Sequence, residues 1–364
     1  ERVRPELLDE RLAAIDPVDT TILFYTSGTT GTPKGVMHSH RSLLEGTEPY
    51  LNAEPIYGSD ETLCYGALCH LAERLFSLIV HLRCGQVLNF AENPDTVFAD
   101  LKEVAPTFFF AMPRTWERLK ARIDIEMQEA TWFKRQVYQL ALKIGQRRCR
   151  EELAGRRLSI GQKALWLLAD IAALYKLRQR LGLNRVRIAG VGAAPIAPEV
   201  LVFFRALGVP LREAYGQTET GVTIWTPADG VRLGSAGLPL AQMQFRIDGE
   251  GEILCRGPGL LQGYFKNEEA TAESMVDGFF RSGDVGHFDD EGYLRLTGRA
   301  KDMIITAAGR NIAPQNIENM LKANDYIMDS VIIGENRPYL TALIALDEET
   351  VSHYAQRNGI PFSS

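Results

Sequence analysis

Tyr25-Thr26-Ser27-Gly28-Thr29-Thr30-Gly31-Thr32-Pro33-Lys34-Gly35 follows directly on the apolar, strand-like run Thr21-Ile22-Leu23-Phe24. Such a stretch is suited to hold phosphate. Glycines let backbone N–H groups turn toward an anion without a side chain in the way, Ser and Thr hydroxyls donate further hydrogen bonds, and Lys34 adds a mobile positive charge. It is not the nucleotide loop of kinases and ATPases, which needs Gly-Lys-Ser/Thr opening a helix; here Pro33 precedes Lys34 and Gly35 follows it. Taken alone, the composition also fits an ordinary surface loop rich in Gly, Ser and Thr.

The chain around it has 364 residues, enough for more than one domain, and is 45% hydrophobic, as a protein with a full core requires. Lys and Arg total 40 against 46 Asp and Glu, net −6, so no nucleic-acid partner held by overall positive charge is indicated. The five cysteines (Cys64, Cys69, Cys84, Cys149, Cys255) are scattered without metal-ligand spacing and read as reduced core thiols of a cytoplasmic protein. No apolar run approaches the roughly eighteen residues of a membrane-spanning helix, and no signal-peptide pattern opens the chain. A soluble protein, at most peripheral to a membrane, is expected.

Strand-sized apolar runs at Thr21–Tyr25, Leu75–Leu82, Gln86–Phe90, Thr107–Ala111, Val186–Ala189 and Pro210–Glu213 alternate with longer helical patterns. That alternation predicts α/β layering with largely parallel strands. From Ser235 to about Thr297, short alternating segments separated by Asp248-Gly249 and Gly257-Pro258-Gly259 predict a β-rich subdomain. Beyond it come a strand at Met303–Thr306, a helix from Pro314, and strands at Ser330–Gly334 and Leu340–Leu346, an α+β unit. Trp116 to Gly182 reads as a long helical stretch broken near Ala154-Gly155 and Ser159-Ile160-Gly161. Within it Trp166-Leu167-Leu168, Ile171 and Leu174 combine with Lys163, Lys176, Arg178 and Arg180. Two readings stand: a helix lying in a membrane interface, or a surface helix with a solvated basic face, the commoner case.

Four further motifs follow in order: Gly192-Ala193-Ala194-Pro195, Tyr215-Gly216-Gln217-Thr218-Glu219, Arg281-Ser282-Gly283-Asp284 and Gly298-Arg299-Ala300-Lys301-Asp302. With the first stretch, and over about residues 20 to 320, this set resembles the AMP-forming acyl-CoA synthetases. That superfamily also contains firefly-type luciferases and the adenylation domains of peptide synthetases. The helical insertion resembles those of synthetases acting on long fatty acids.

The resemblance implies an adenylate-forming large domain over residues 1–298, its β-rich part at about 230–298 a barrel, and a small mobile domain over 299–364. It further implies that the family's N-terminal subdomain is missing ahead of the first motif. The family's C-terminal catalytic lysine is also absent, since Lys322 is the only lysine after Lys301. The chain then reads as a fragment, a processed product or a shortened relative, with an incomplete small domain and impaired adenylation.

The implied reaction is activation of a long-chain fatty acid with ATP to acyl-AMP, then transfer to coenzyme A. The alternatives are a fatty acyl-AMP ligase loading a carrier protein and a nucleotide-binding fragment. Thr26, Ser27, Gly28, Thr29, Thr30 and Lys34 would cradle the β- and γ-phosphates, and Thr218 would bond the α-phosphate. Glu219 would hold Mg²⁺ shared with the phosphates. Gly192, Ala193 and Ala194 would wall the adenine, with Tyr215 stacked on its other face; Asp284 would accept from the ribose hydroxyls, and Arg299 would reach ribose or phosphate. Lys34, Thr218, Glu219 and Lys301 are the expected catalytic set, Lys301 as the hinge of the small domain. His70 and Gly216 would border the acyl substrate, and Gly309 the coenzyme A arm. No aspartate for an α-amino group stands near His70, which favours a substrate without one.

Overall fold

Strands β1 (Thr20–Thr26) and β2 (Lys34–Ser39) pair antiparallel, and their registers close on Thr26 opposite Lys34. The Ser/Thr/Gly stretch therefore joins the two arms of a hairpin. The computed structural model describes residues 5–26, 32–322, 324 and 326–361; Ser27, Gly28, Thr29 and Thr30 lie outside the described residues. The run at Thr21–Tyr25 is thus a strand as expected, but it belongs to an antiparallel sheet. β2 runs straight into the helix His40–Ala53 through a reciprocal cap: Ser39 Oγ accepts from Ser42 N at 3.0 Å, and Ser42 Oγ accepts from Ser39 N at 3.1 Å.

The largest sheet has seven strands. β3 (Glu61–Cys64), β4 (Val87–Phe90), β5 (Phe108–Ala111), β6 (Ile188–Val191) and β7 (Leu211–Gln217) are parallel in the order β4-β3-β5-β6-β7. β8 (Gly221–Trp225) and β9 (Leu238–Pro239) extend it antiparallel. Neighbouring residues on one strand enter different cores: Phe109 and Ala189 pack with Trp116, Leu201 and Phe204, while Phe108 and Ile188 pack with Tyr50, Phe76 and Trp225. Helices cover both faces, which is why these strands are continuous apolar runs rather than alternating ones.

Leu75–Leu82 is not a strand. It lies in a helical segment, Leu71–Arg74, a π-helical turn Leu75–Ile79, and Val80–Cys84, that ends at Gly85 with φ 72°. Leu75, Phe76, Ile79 and Val80 are buried at helical spacing, and a short apolar run leaves the two periods ambiguous. The long helical stretch is confirmed as Pro113–Glu129, Trp132–Leu153, Ile160–Ala169, a π-helical turn Asp170–Leu174, and Tyr175–Leu181. At Gly145 the helix Trp132–Leu153 approaches the helix Pro198–Ala206 so closely that a Cβ would lie 2.2 Å from Ala206 O. The basic amphipathic reading needs correction in detail. Leu174 is fully buried, Trp166 is half-buried beneath Arg148 at 4.0 Å, and Arg178 is buried against Asp170 and the Leu207 carbonyl.

The next strands are β10 (Gln244–Ile247), β11 (Glu252–Arg256), β12 (Gly263–Tyr264), β13 (Met275–Val276), β14 (Phe279–Phe288) and β15 (Leu294–Arg299). Five of them form one antiparallel sheet, and β12 instead pairs with β2. The expected barrel is not closed among the described residues: β10 at one end pairs only with β11, while β13 and β15 at the other both pair with the ten-residue β14. Last come β16 (Ile304–Ile305), β17 (Asn311–Ile312), the helix Pro314–Lys322, β18 (Ile327–Ile333), β19 (Thr341–Leu346) and the helix Glu348–Arg357. This α+β unit rests on the helix Pro113–Glu129 through polar contacts. Arg114 Nη1 donates to Met328 O at 2.6 Å, Arg114 lies 3.8 Å from Asp347, and His353 lies 3.4 Å from Glu129. All five cysteines are free, and Cys69 is exposed rather than a core thiol.

Candidate active site

Tyr215, Gly216 and Gln217 end β7, and Thr218, Glu219 and Thr220 make the tight turn into β8. Gln217 N donates to Thr220 Oγ1 at 3.2 Å across it. Gly216 has a local reason to be glycine, since a Cβ there would lie 2.0 Å from Gly221 O.

Three contacts hold this turn against β2 and β12. Leu261 N donates to the Glu219 carbonyl at 2.7 Å, and Tyr264 Oη donates to Glu219 Oε1 at 3.1 Å. His38 Nε2 lies 2.7 Å from the Thr218 carbonyl. A carbonyl only accepts, so Nε2 carries the hydrogen, and Nδ1, 3.2 Å from Ser42 Oγ, is the acceptor of the neutral ring. Burial lowers the His38 pKa, partly opposed by the Thr218 bond, which favours that neutral form. Tyr264 lies opposite Val36 of β2, and Lys34 Nζ stands 5.0 Å from its ring centroid. A cation and a carboxylate thus flank one tyrosine. Burial raises the Glu219 carboxyl above the usual range, against the hydrogen bond from Tyr264 and the charges of Arg299 and Lys34.

Asp284 of β14 faces the same region. Its Oδ2 accepts from Tyr215 Oη at 2.8 Å and Gln217 Nε2 at 2.7 Å, and its Oδ1 lies 3.2 Å from Arg299 Nε, its partner across the β14–β15 ladder. Burial is the largest influence on its carboxyl and raises it, opposed by these donors. Oδ1 keeps accepting capacity for a further hydroxyl. Arg299 therefore pairs with Asp284 while its charge acts on Glu219, and this links the third, fourth and fifth motifs.

The Gly192-Ala193-Ala194 turn leaves the end of β6. A Cβ at Gly192 would lie 2.9 Å from the Phe110 ring and 3.0 Å from Ala214 O, so packing against the sheet already excludes a methyl there. Ala193 has φ 68°, a left-handed conformation that costs a non-glycine residue strain, and Ala193 and Ala194 are both exposed. Thr26 and Lys34 end the hairpin arms and are partly exposed. Lys301 is exposed in the short 3₁₀ turn Ala300–Asp302 between β15 and β16. Gly309, φ 72°, lies in the turn between β16 and β17. His70 is exposed ahead of the helix Leu71–Arg74 and makes no side-chain cap.

Lys34, Tyr215, Thr218, Glu219, Asp284 and Arg299 are thus brought together, whereas no hydrogen bond or ion pair found among the described residues ties His70, Lys301 or Gly309 to them. His38, Gln217 and Tyr264 have no role in the sequence-based expectation. Gln217 stands inside the Tyr215–Glu219 motif, and His38 follows Lys34 on the same strand. Tyr264 carries no local signal, because it meets Glu219 only through the pairing of β12 with β2.

The family model described as AMP-binding enzyme matches residues 2–265, and that of the AMP-binding enzyme C-terminal domain matches residues 301–358. The chain belongs to the AMP-binding enzyme family. It is 39% identical over 355 residues to the putative fatty-acid–CoA ligase fadD11 of Mycobacterium tuberculosis, covering 96% of this chain and 62% of the relative. The long-chain-fatty-acid–CoA ligase ACSBG2 of Xenopus laevis is 32% identical over 357 residues, covering 93% and 48%. The chain therefore spans about half to three-fifths of the length of these curated relatives. The adenylation domain of a carboxylate reductase from Mycobacterium chelonae superposes with a TM-score of 0.71 at 24% identity, covering 94% of this chain and 50% of that one, a likeness of fold.

Proposed function

We propose that this chain carries the ATP-binding machinery of a long-chain fatty-acid–CoA ligase, which joins a fatty acid to AMP with loss of pyrophosphate and then passes the acyl group to coenzyme A. The observation that carries it is the pairing of Lys34 and Glu219 about Tyr264, beside Asp284 and Arg299. The names of the relatives supply the substrate class.

In this reading the residues position and neutralise, with no covalent step of their own. Lys34 and the hydroxyls and N–H groups of residues 26–30 bind the β- and γ-phosphates, and Thr218 donates to the α-phosphate. Asp284 Oδ1 and Arg299 hold the ribose, Tyr215 and the Gly192-Ala193-Ala194 turn enclose the base, and His70 and Gly216 border the acyl group. The unit from residue 299 onward turns about Lys301, bringing Gly309 to the coenzyme A arm.

Glu219 fits a Mg²⁺ ligand. Burial disfavours its charge, which a cation would restore, and no group of three or more His, Cys, Asp or Glu suited to a metal occurs among the described residues. One carboxylate completed by phosphate oxygens and water is how Mg²⁺ is commonly held. When bound, the ion offsets phosphate charge.

The test is palmitate-dependent exchange of pyrophosphate into ATP, in this chain and in any longer reading frame that contains it, with ATP binding measured alongside. Exchange that requires the fatty acid and is lost in Glu219→Gln supports the reading. Absence of both ATP binding and exchange in the longer frame overturns it. Product analysis with and without coenzyme A separates the ligase from an enzyme that loads a carrier protein.

A further inference from the structure

The helical segment Ile160–Leu181 presents one face to the protein and a second, apolar one to solvent. Ala169, Leu174 and Leu177 are buried on the inner face, and Arg178 is tied to Asp170 and the Leu207 carbonyl. The outer face carries Ile160, Leu167, Leu168, Ile171 and Tyr175, with relative exposures of 88%, 54%, 65%, 65% and 44%. Their spacing places them in one stripe along the segment. A face of this size, open to solvent on a helix already anchored by its opposite side, marks an interaction surface.

Charge selects the occupant. Residues 155–182 hold six Lys and Arg against a single acid, Asp170, in a chain whose net charge is −6; Arg156 and Arg180 pair with Glu151 and Glu126 outside the segment. Asp170 is consumed by Arg178 on the inner side, whereas Arg157, Lys163 and Lys176 are exposed. Lys163 stands one helical turn from both Ile160 and Leu167, and Lys176 adjoins Tyr175 at the other end. Apolar side chains bordered by cations suit a surface that is itself apolar beneath an anionic skin. No helix among the described residues is long and apolar enough to cross a membrane.

We propose that this face docks on an anionic lipid bilayer, the segment lying in the plane of the headgroups with Leu167, Leu168 and Ile171 dipping below them and the flanking cations among the phosphates. Contact of this kind needs neither nucleotide nor fatty acid, so its loss and a loss of adenylation are separate readouts.

The experiment is co-sedimentation of the full chain with vesicles of phosphatidylcholine alone and of phosphatidylcholine mixed with phosphatidylglycerol, at low and high salt. The expected result is binding to the anionic vesicles that weakens with salt. It should fall by about tenfold or more in Leu168→Glu/Ile171→Glu and in Lys163→Glu/Lys176→Glu. Leu82→Glu, an exposed leucine of another helix, should bind as the parent does. Circular dichroism and melting temperature report whether each variant folds, and the charge variant removes no apolar contact. Equal binding to neutral and anionic vesicles, or undiminished binding by both double variants, overturns the proposal. So does a dimer in light scattering that the Leu168→Glu/Ile171→Glu variant converts to monomer without vesicles, which would assign the face to a second copy.

Discussion

His38 reaches the candidate site through a backbone carbonyl alone, so its contribution is positional. In His38→Phe the Thr218 carbonyl loses its donor at a buried position, an expected cost of about 1–3 kcal/mol in denaturant unfolding. Pyrophosphate exchange should drop with it, because Thr218 and Glu219 share the turn. Tyr264→Phe keeps the ring under Lys34 and removes only the bond to Glu219, so exchange should fall less than the roughly 10²–10³-fold expected for Glu219→Gln. Equal losses in the two would contradict the assignment of Tyr264 as a positioning residue. Glu213 gives a pH test. Burial pushes its carboxyl from 4.5 up to about 8, so the folded state holds the proton more tightly than the unfolded chain. Its contribution to stability is present below about pH 4.5 and is lost as pH rises toward 8. Glu213→Gln should therefore be stabilising by about 1–3 kcal/mol near pH 9 and close to neutral near pH 4, read from melting curves at the two values.

At the scale of elements, the Gly192-Ala193 turn makes opposite predictions for neighbouring positions. Gly192→Ala drives a methyl into Phe110 and the Ala214 carbonyl and should cost about 1–3 kcal/mol, whereas Ala193→Gly relieves a left-handed φ and should stabilise by up to about 1 kcal/mol. Denaturant midpoints of the two variants check the pair. Much of this level was legible in the sequence. The doubly buried strand Phe108–Ala111 reads as an unbroken apolar run and Ile188–Val191 overlaps the expected Val186–Ala189; the break between Leu153 and Ile160 fell where Gly155 and Ser159 stand, whereas the break at Ala130-Thr131 carried no such signal. Leu75–Leu82 reads as a strand because a short apolar run does not separate the strand and helix periods, and the open edge of the β10–β15 sheet is hidden because β14 serves three partners, β11, β13 and β15, along its length. The motif side chains of the site were legible as well. What held them was not, because His38, Leu261 and Tyr264 reach Thr218 and Glu219 across 42 to 180 residues of chain.

For the whole molecule, the C-terminal α+β unit meets the helix Pro113–Glu129 through an interface rich in charge, the kind that permits domains to part. Arg114→Ala removes both the bond to Met328 and the pair with Asp347. Hydrogen exchange near residues 299–303 should quicken in that variant and, in the parent, on raising salt, whereas unchanged exchange would argue for a fixed arrangement. The hairpin that opens the sequence has a last implication. β2 is paired on both edges, with β1 on one side and β12 on the other, and its register is therefore set by two ladders and not by the connection that precedes it. Lys34 is thereby held relative to Glu219 from the β12 side as well as from β1, so a change in β12 that shifted Tyr264 would move the cation and its facing carboxylate together.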